Sequence, residues 1–346
     1  MTTIYDQLSN STKPFIIAEI GSNHMASMET TKQLIDAAKE AGCNAVKFQS
    51  WKWDALESNQ AFENKKDYTA PGFVEVGLEA IKKKLALSTK QHQELKQYCE
   101  EKGIIFSSSV FDKEGVDLLM GIGVPFLKIA STDIVNYDLL KYSASKQIPL
   151  IISTGMANLE EIEQAVKVVR EAGNDEIVLM HCVGLYPTPE ANINLANITL
   201  LQEKFNLPVG FSDHSLFVEI PIASVALGAT IIEKHFMLEN QECREKKVSI
   251  TPSQMKQLVE GSTQVGIALG KKERILSEAE LKARDKMRRS LVIAKDLPAE
   301  HIITAEDLQF KRPGTGIPLH EKNKIIGRKL RIAKTSGDVL LLEDLI

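Results

Sequence analysis

The sequence predicts an α/β fold, a (β/α)8 barrel followed by a small second domain, and three observations carry this. Eight short apolar or β-branched runs alternate with stretches of helical periodicity. Most of these runs end in polar, chemically capable residues. Beyond residue 286 the texture changes to short strands and turns with no long helix. A chain of 346 residues has room for a barrel of about 250 residues and a modest tail.

In order, the strand runs are Phe15–Gly21, Ala45–Ser50, Ile104–Val110, Phe126–Ser131, Pro149–Gly155, Ile177–Val183, Leu207–His214 and Thr230–Phe236. Stretches such as Glu29–Ala41, Lys90–Lys102, Leu159–Ala172 and Val218–Leu227 lie between them as crossover helices, several closing at a glycine. The longest insertion, from Trp51 to about Leu87, follows strand two and is expected to form a loop or lid over the barrel mouth. The barrel is expected over residues 1–270, a charged helical linker over 271–286 and the tail domain over 287–346. So small a tail cannot hold a large core and should lean on a barrel, its own or a partner's.

The net charge of -4, with both signs interspersed, leaves no electrostatic footprint for nucleic acid. An anionic substrate must therefore be met by a local cluster of cations. No apolar run reaches membrane-spanning length, and the first residues carry no apolar signal core. Cys43, Cys99, Cys182 and Cys243 lack paired metal-ligand spacing, so the expected setting is a reduced cytoplasmic interior.

In a barrel of this type the active site lies at the C-terminal ends of the strands. Here they offer a ring: Glu19, Asn23 and His24; Lys47 and Gln49; Ser108 and Ser109; Lys128, Ser131 and Asp133; Ser153 and Thr154; His181 and, just beyond, Tyr186; then Asp213, His214, Glu233 and His235. His214 and His235 suggest a divalent transition ion held with open coordination positions, although a histidine at a strand end can also simply hydrogen-bond its neighbours. Strand periodicity of two points Lys47 with Gln49, and Glu233 with His235, to the same side. Buried lysines at positions 47 and 128 suit phosphate or carboxylate, the alternative being ion pairs with Glu19 or Glu233. Lys128 could also act as a Schiff-base nucleophile.

The segments Phe15-Ile-Ile-Ala-Glu-Ile-Gly-Ser-Asn-His24, Ala45-Val-Lys-Phe-Gln49, Lys128-Ile-Ala-Ser131, Ser153-Thr-Gly-Met156, Tyr186-Pro-Thr-Pro189, Phe211-Ser-Asp-His-Ser215 and Glu233-Lys-His-Phe236 occur in order, nearly one per strand. Together they closely resemble the sialic acid synthase family, which condenses phosphoenolpyruvate with amino-sugar aldehydes to form nonulosonic acids. The tail, with Lys311-Arg-Pro-Gly-Thr-Gly316, resembles that family's antifreeze-like (SAF) domain. The resemblance implies Lys47, Ser109, Lys128, Ser131 and Ser153 as phosphoenolpyruvate ligands and Glu19 as the acid/base group. It implies His214 and His235 as catalytic holders of Mn2+ or Mg2+. It implies Gln49, Asp133, Tyr186, Glu245 and Arg312 as sugar contacts, with Arg312 supplied across a domain-swapped homodimer.

Departures from the family pattern fall on the sugar side. Gly184 replaces a common asparagine and is expected to open space, Asp133 replaces a glutamate, and in Cys243-Arg-Glu-Lys-Lys247 Glu245 and Lys246 stand for an aspartate and a histidine. The expected acceptor is N-acetylmannosamine, as in an N-acetylneuraminate synthase, with a di-N-acylated 6-deoxyhexose of legionaminic or pseudaminic acid synthesis as the alternative. A non-catalytic sugar-binding homologue is the alternative of another class.

Overall fold

The computed structural model describes residues 3–10, 12–52 and 85–346. The insertion expected as a lid falls mainly on residues 53–84, outside the described residues. Eight parallel strands close into a barrel in sequence order: β1 (Phe15–Glu19), β2 (Ala45–Ser50), β3 (Ile105–Val110), β4 (Leu127–Ile129), β5 (Leu150–Ser153), β6 (Ile177–Cys182), β7 (Val209–Asp213) and β8 (Ile231–His235). Pairing of β1 with β8 closes the ring, with Glu19 opposite His235 on one side and Lys47 on the other.

Side-chain alternation assigns each strand residue to one of two cores. Phe15, Ile17, Ala45, Phe126, Ile151 and Val178 belong to an apolar cluster inside the barrel, joined from below by Leu8 of the short helix Ile4–Leu8. Ile16, Ala18, Val46, Phe48, Phe106 and Ile232 belong to the larger cluster between barrel and helices. Two residues further along the inward rows, the apolar floor gives way to Glu19, Lys47, Lys128, Ser153 and Glu233. The barrel interior is therefore oil below and charge above.

The helices begin where the sequence supplies caps. Ser27 accepts from the Thr30 N–H at the start of Met28–Glu40, and Ser88 with Gln91 and Asn158 with Glu161 form capping boxes for Thr89–Lys102 and Leu159–Glu171. Helix Thr89–Lys102 ends on Gly103, whose φ of 66° gives the left-handed turn back toward β3. Among the described residues no helix is long and apolar enough to cross a membrane.

The chain divides into two compact units, Met1–Gly270 and Lys271–Ile346. In the second, β9 (Ser290–Ile293) pairs antiparallel with β10 (Leu308–Lys311), and Leu291, Ile293, Ile317, Leu330 and Leu340 are among the residues of its own core. Buried Asp307 accepts from the Thr304 N–H and hydroxyl and pairs with Lys295 and His301, which hold its carboxyl well below the usual range against the cost of burial. Helix Glu278–Met287 belongs to this unit, and the Gly314 N–H donates 2.7 Å to the Asp285 carbonyl.

Because the barrel clusters draw no residue from beyond Gly270, a chain ending there is expected to fold by itself. Its circular dichroism melt should remain a single cooperative transition. A broad, non-cooperative melt would show that the barrel requires its tail.

Candidate active site at the barrel mouth

A cavity of about 410 Å3 opens at the C-terminal ends of the strands. At its centre four buried charged groups interlock. Lys47 Nζ lies 2.8 Å from Glu19 Oε2 and 3.5 Å from Glu233 Oε1, and Lys128 Nζ lies 3.7 Å from Glu233 Oε2. Each lysine also donates to a hydroxyl, Lys47 to Ser109 Oγ at 3.0 Å and Lys128 to Ser153 Oγ at 2.6 Å. Gln49 Nε2 donates to Glu19 Oε1 at 3.0 Å, and Ser212 Oγ to Glu233 Oε1 at 3.1 Å. Both Oε2 atoms are ion-paired but, among the described residues, accept no aligned hydrogen bond, although buried.

Burial acts on all four groups, and their partners decide the outcome. The Glu19 carboxyl is pushed above the ordinary range by burial, which the pull of Lys47 only partly offsets. Glu233 is also buried, but Lys128 and Lys47 together hold it well below that range. For Lys47, burial is outweighed by its two carboxylates and the ammonium is held more firmly. Lys128 is lowered, because burial exceeds what Glu233 returns. Burial thus favours the protonated form of Glu19, while the two lysines hold Glu233 as their carboxylate counterion.

His214 and His235 stand on the same wall with ring centroids 5.3 Å apart, and Tyr186 stacks on His214 at 4.0 Å. His214 Nδ1 is 2.8 Å from the Val183 carbonyl, which can only accept, so that nitrogen carries the proton. Burial, then the neighbouring His235, lower His214 to about 3, so the ring is neutral and its Nε2 offers a lone pair. His235 Nδ1 donates to Glu245 Oε2 at 3.1 Å; burial would lower this ring, but Glu245 outweighs it and raises it. Two imidazoles whose Nδ1 atoms are anchored by a carbonyl and a carboxylate fit the donor set of a divalent ion.

The structure brings Glu19, Lys47, Gln49, Ser109, Lys128, Ser131, Ser153, Tyr186, His214, His235 and Glu245 to this one cavity. Other ring members turn away. Ser108, one residue out of phase with Ser109, faces the helices and bonds Ser50, which bonds His92. His181 points outward, stacks on Phe211 and meets the Ile193 carbonyl. Asp133 sits on the turn Ser131–Asp133, accepting from Thr132 and Asn136, and does not line the cavity. Arg312 lies in the second unit, where Nε donates to the Met287 carbonyl at 3.0 Å.

The ion pairs with Glu19 and Glu233, expected as the alternative for Lys47 and Lys128, are present, and the alternation of Glu233 with His235 was the signal that turns it inward. Met156 closes the Ser153-Thr-Gly-Met156 segment but carried no expected role of its own. The space expected to open at Gly184 is not empty, because a Cβ there would meet Met156 Cγ at 2.9 Å. Met156 holds a φ of 65°, which no local pattern announces, and its thioether lies over Gly184 at the cavity edge.

The NeuB family model matches residues 34–274, the barrel that carries all but Glu19 of this wall, and the SAF domain model matches residues 288–346. The chain belongs to the NeuB family. It is 39% identical to the N,N'-diacetyllegionaminic acid synthase of Legionella pneumophila over 335 residues, 95% of this chain and 94% of that one. It is 33% identical to a pseudaminic acid synthase of Campylobacter jejuni, covering 96% of each. Among solved structures, the N-acetylneuraminic acid (sialic acid) synthetase of Leptospira borgpetersenii superposes with a TM-score of 0.68 at 33% identity, covering 79% of this chain and 90% of that one. This NeuB-family chain is accordingly an enzyme of the nonulosonic acid synthase type, built as a barrel with an SAF tail.

One glycine of the site is under close constraint. Gly21 has a φ of 50°, and a Cβ there would meet Glu245 Oε2 at 2.6 Å and Glu19 Oε1 at 3.1 Å. Gly21→Ala should cost about 1–2 kcal/mol in left-handed strain and also displace Glu245 from His235. Gly123→Ala, at a φ of 74° in open space, carries the strain alone. Melting temperatures should fall comparably in the two variants, whereas turnover should fall about tenfold or more only in Gly21→Ala. Equal turnover in both would show that Glu245 tolerates displacement.

Proposed function

We propose that this enzyme condenses phosphoenolpyruvate with the aldehyde of an N-acylated amino sugar, giving a nonulosonic acid and phosphate. The observation that carries this reading is the pair of buried lysines, each with a serine hydroxyl, sharing a cavity with two anchored histidines. The two ammonium groups, with a divalent cation at the histidines, would set positive charge against the three negative charges of phosphoenolpyruvate.

Lys47 with Ser109, Lys128 with Ser153, and Ser131 would grip its phosphate and carboxylate and aim carbon 3 at the aldehyde carbon. His214 and His235 would hold Mn2+ or Mg2+, which when bound supplies Lewis acidity at the aldehyde oxygen. Carbon 3 forms the new C–C bond with its π electrons, and water adds to carbon 2. The C–O bond to phosphate then breaks, leaving a ketone. One water proton ends on the former aldehyde oxygen and the other on phosphate. Glu19, oriented by Gln49, moves that proton, burial having raised its carboxyl above the ordinary carboxylate range. The reaction belongs in the cytoplasm, where phosphoenolpyruvate is made.

For the acceptor, a 2,4-diacylamino-trideoxyhexose of the legionaminic type is favoured over N-acetylmannosamine. Met156 over Gly184 gives that wall a thioether, suited to acyl methyl and 6-deoxy groups, and a legionaminic acid synthase is 39% identical. Tyr186, Gln49 and Glu245 are the proposed partners of the sugar's polar groups.

The test is phosphate release from phosphoenolpyruvate and Mn2+ against a panel of 2-acylamino and 2,4-diacylamino hexoses. The diacylamino sugar should give the highest kcat/KM, and exhaustive chelation should abolish turnover until Mn2+ returns. Chelator-resistant turnover with borohydride trapping of Lys128 by pyruvate would instead establish Schiff-base chemistry. Lys47→Ala and Lys128→Ala should each lower kcat/KM about tenfold or more through phosphoenolpyruvate.

Arg312 is proposed to reach the sugar from a partner's tail in a swapped homodimer. Its turn is held tightly in the second unit: a Cβ at Gly314 would meet Arg288 at 2.7 Å, and one at Gly316 would meet Val339 at 2.3 Å. Arg312→Ala should raise KM for the sugar far more than for phosphoenolpyruvate. Mixing Arg312→Ala and Glu19→Ala chains should restore part of the activity through hybrid dimers. No rescue, with subunit exchange confirmed, would place the arginine's action within its own chain.

A further inference from the structure

We propose that Asp213 and Lys234 are positioning residues that hold His214 and His235 in register from the outer face of the barrel. The inference rests on reading these histidines as the metal-holding pair. Strand alternation points Ser212, His214, Glu233 and His235 into the cavity and their neighbours Asp213 and Lys234 the other way. The other outward residues of these two strands, Val209, Phe211 and Ile232, belong to the apolar layer under the helices. An apolar pair would be the ordinary choice at 213 and 234, yet the chain places a carboxylate and an ammonium there, 1% and 0% exposed.

The pair is fully engaged. Lys234 Nζ lies 2.7 Å from Asp213 Oδ2, and the two residues are register partners across β7 and β8. Lys234 also donates to the Ser215 carbonyl. Asp213 accepts from the Ser215 N–H at 2.8 Å and the Ser215 hydroxyl at 3.0 Å. Residues 213 and 215 flank His214, and residue 234 precedes His235. β7 ends at Asp213, so no ladder bond fixes Ser215, and the pair satisfies both of its main-chain groups.

A buried ion pair is a weak source of stability, since well-packed apolar residues often replace one without loss. This pair controls instead the backbone on both sides of one histidine relative to the strand that carries the other. Such supports of ligating side chains typically affect metal affinity roughly tenfold to a hundredfold.

The test uses the full-length protein and Mn2+ alone, with binding read by electron paramagnetic resonance and folding by thermal melting. The double variant Asp213→Leu/Lys234→Met removes both buried charges together and also releases Ser215. It should melt cooperatively near the parent temperature, bind Mn2+ roughly tenfold to a hundredfold more weakly, and leave KM for phosphoenolpyruvate at saturating Mn2+ unmoved. Its kcat should recover as Mn2+ is raised. Should the double variant fail to fold, Asp213→Asn decides: it keeps one acceptor oxygen for Ser215 but loses the other and the charge facing Lys234, and it should show the same weakening in smaller measure. Parent-like Mn2+ affinity in a folded double variant, or in Asp213→Asn where that variant decides, would overturn the proposal and leave the pair a structural feature. His214→Ala and His235→Ala serve as controls. If these bind Mn2+ as the parent does, the metal reading itself falls, a result distinguishable from failure of the pair alone.

Discussion

The mouth of this barrel depends on keeping two ammonium groups out of water. Lys47 and Lys128 occupy inward positions above an apolar floor, where an unpaired charge would lose its proton or drive the chain out of the fold. Glu233 stands between them and answers both, and Glu19 answers Lys47 from the next strand. Counterions so placed have consequences for chemistry. The one with two cations stays ionised, while the one with a single close cation is raised toward neutrality. An anionic substrate entering this cluster meets donors already aimed and positive charge that the protein has only just balanced.

The same strands that aim these groups inward use their opposite faces to hold the frame. Asp213-His214 and Lys234-His235 each join an inward imidazole to an outward charge, so one dipeptide serves the cavity and its support together. The remaining ligand contacts are local. Val183 orients His214, and Glu245, brought by the loop after β8, orients His235. Gly21 permits that arrangement, since any side chain there would occupy the place of the Glu245 carboxylate.

The rim of the cavity is built differently. Met156, Gly184, Tyr186 and Glu245 come from loops after the strands, and their contacts depend on loop course rather than strand phase. Met156 covers Gly184 because the chain turns through a left-handed conformation just after β5, so a glycine that reads as vacancy becomes a thioether surface. Asp133, one of the expected sugar contacts, is engaged by its own turn through Thr132 and Asn136.

The sequence by itself determined the barrel, because period-two runs between amphipathic helices leave few other ways to bury both faces of eight strands. It determined which polar residues share a side where strand phase is strict, Lys47 with Gln49 and Glu233 with His235, but left Ser108 and Ser109 as equal candidates. The tail was legible as a change of texture, and Arg312 as an arginine beside turn residues. Tertiary structure alone decided which inward charge answers which. Strands adjacent in the ring but far apart in sequence, β1 and β8 above all, meet only on closure. It alone decided that His181 and Asp213 serve the outer layer, and that Met156 fills the space beside Gly184. A hydrogen bond or a steric contact between distant segments leaves no period in the chain, and those contacts set the chemistry of this site.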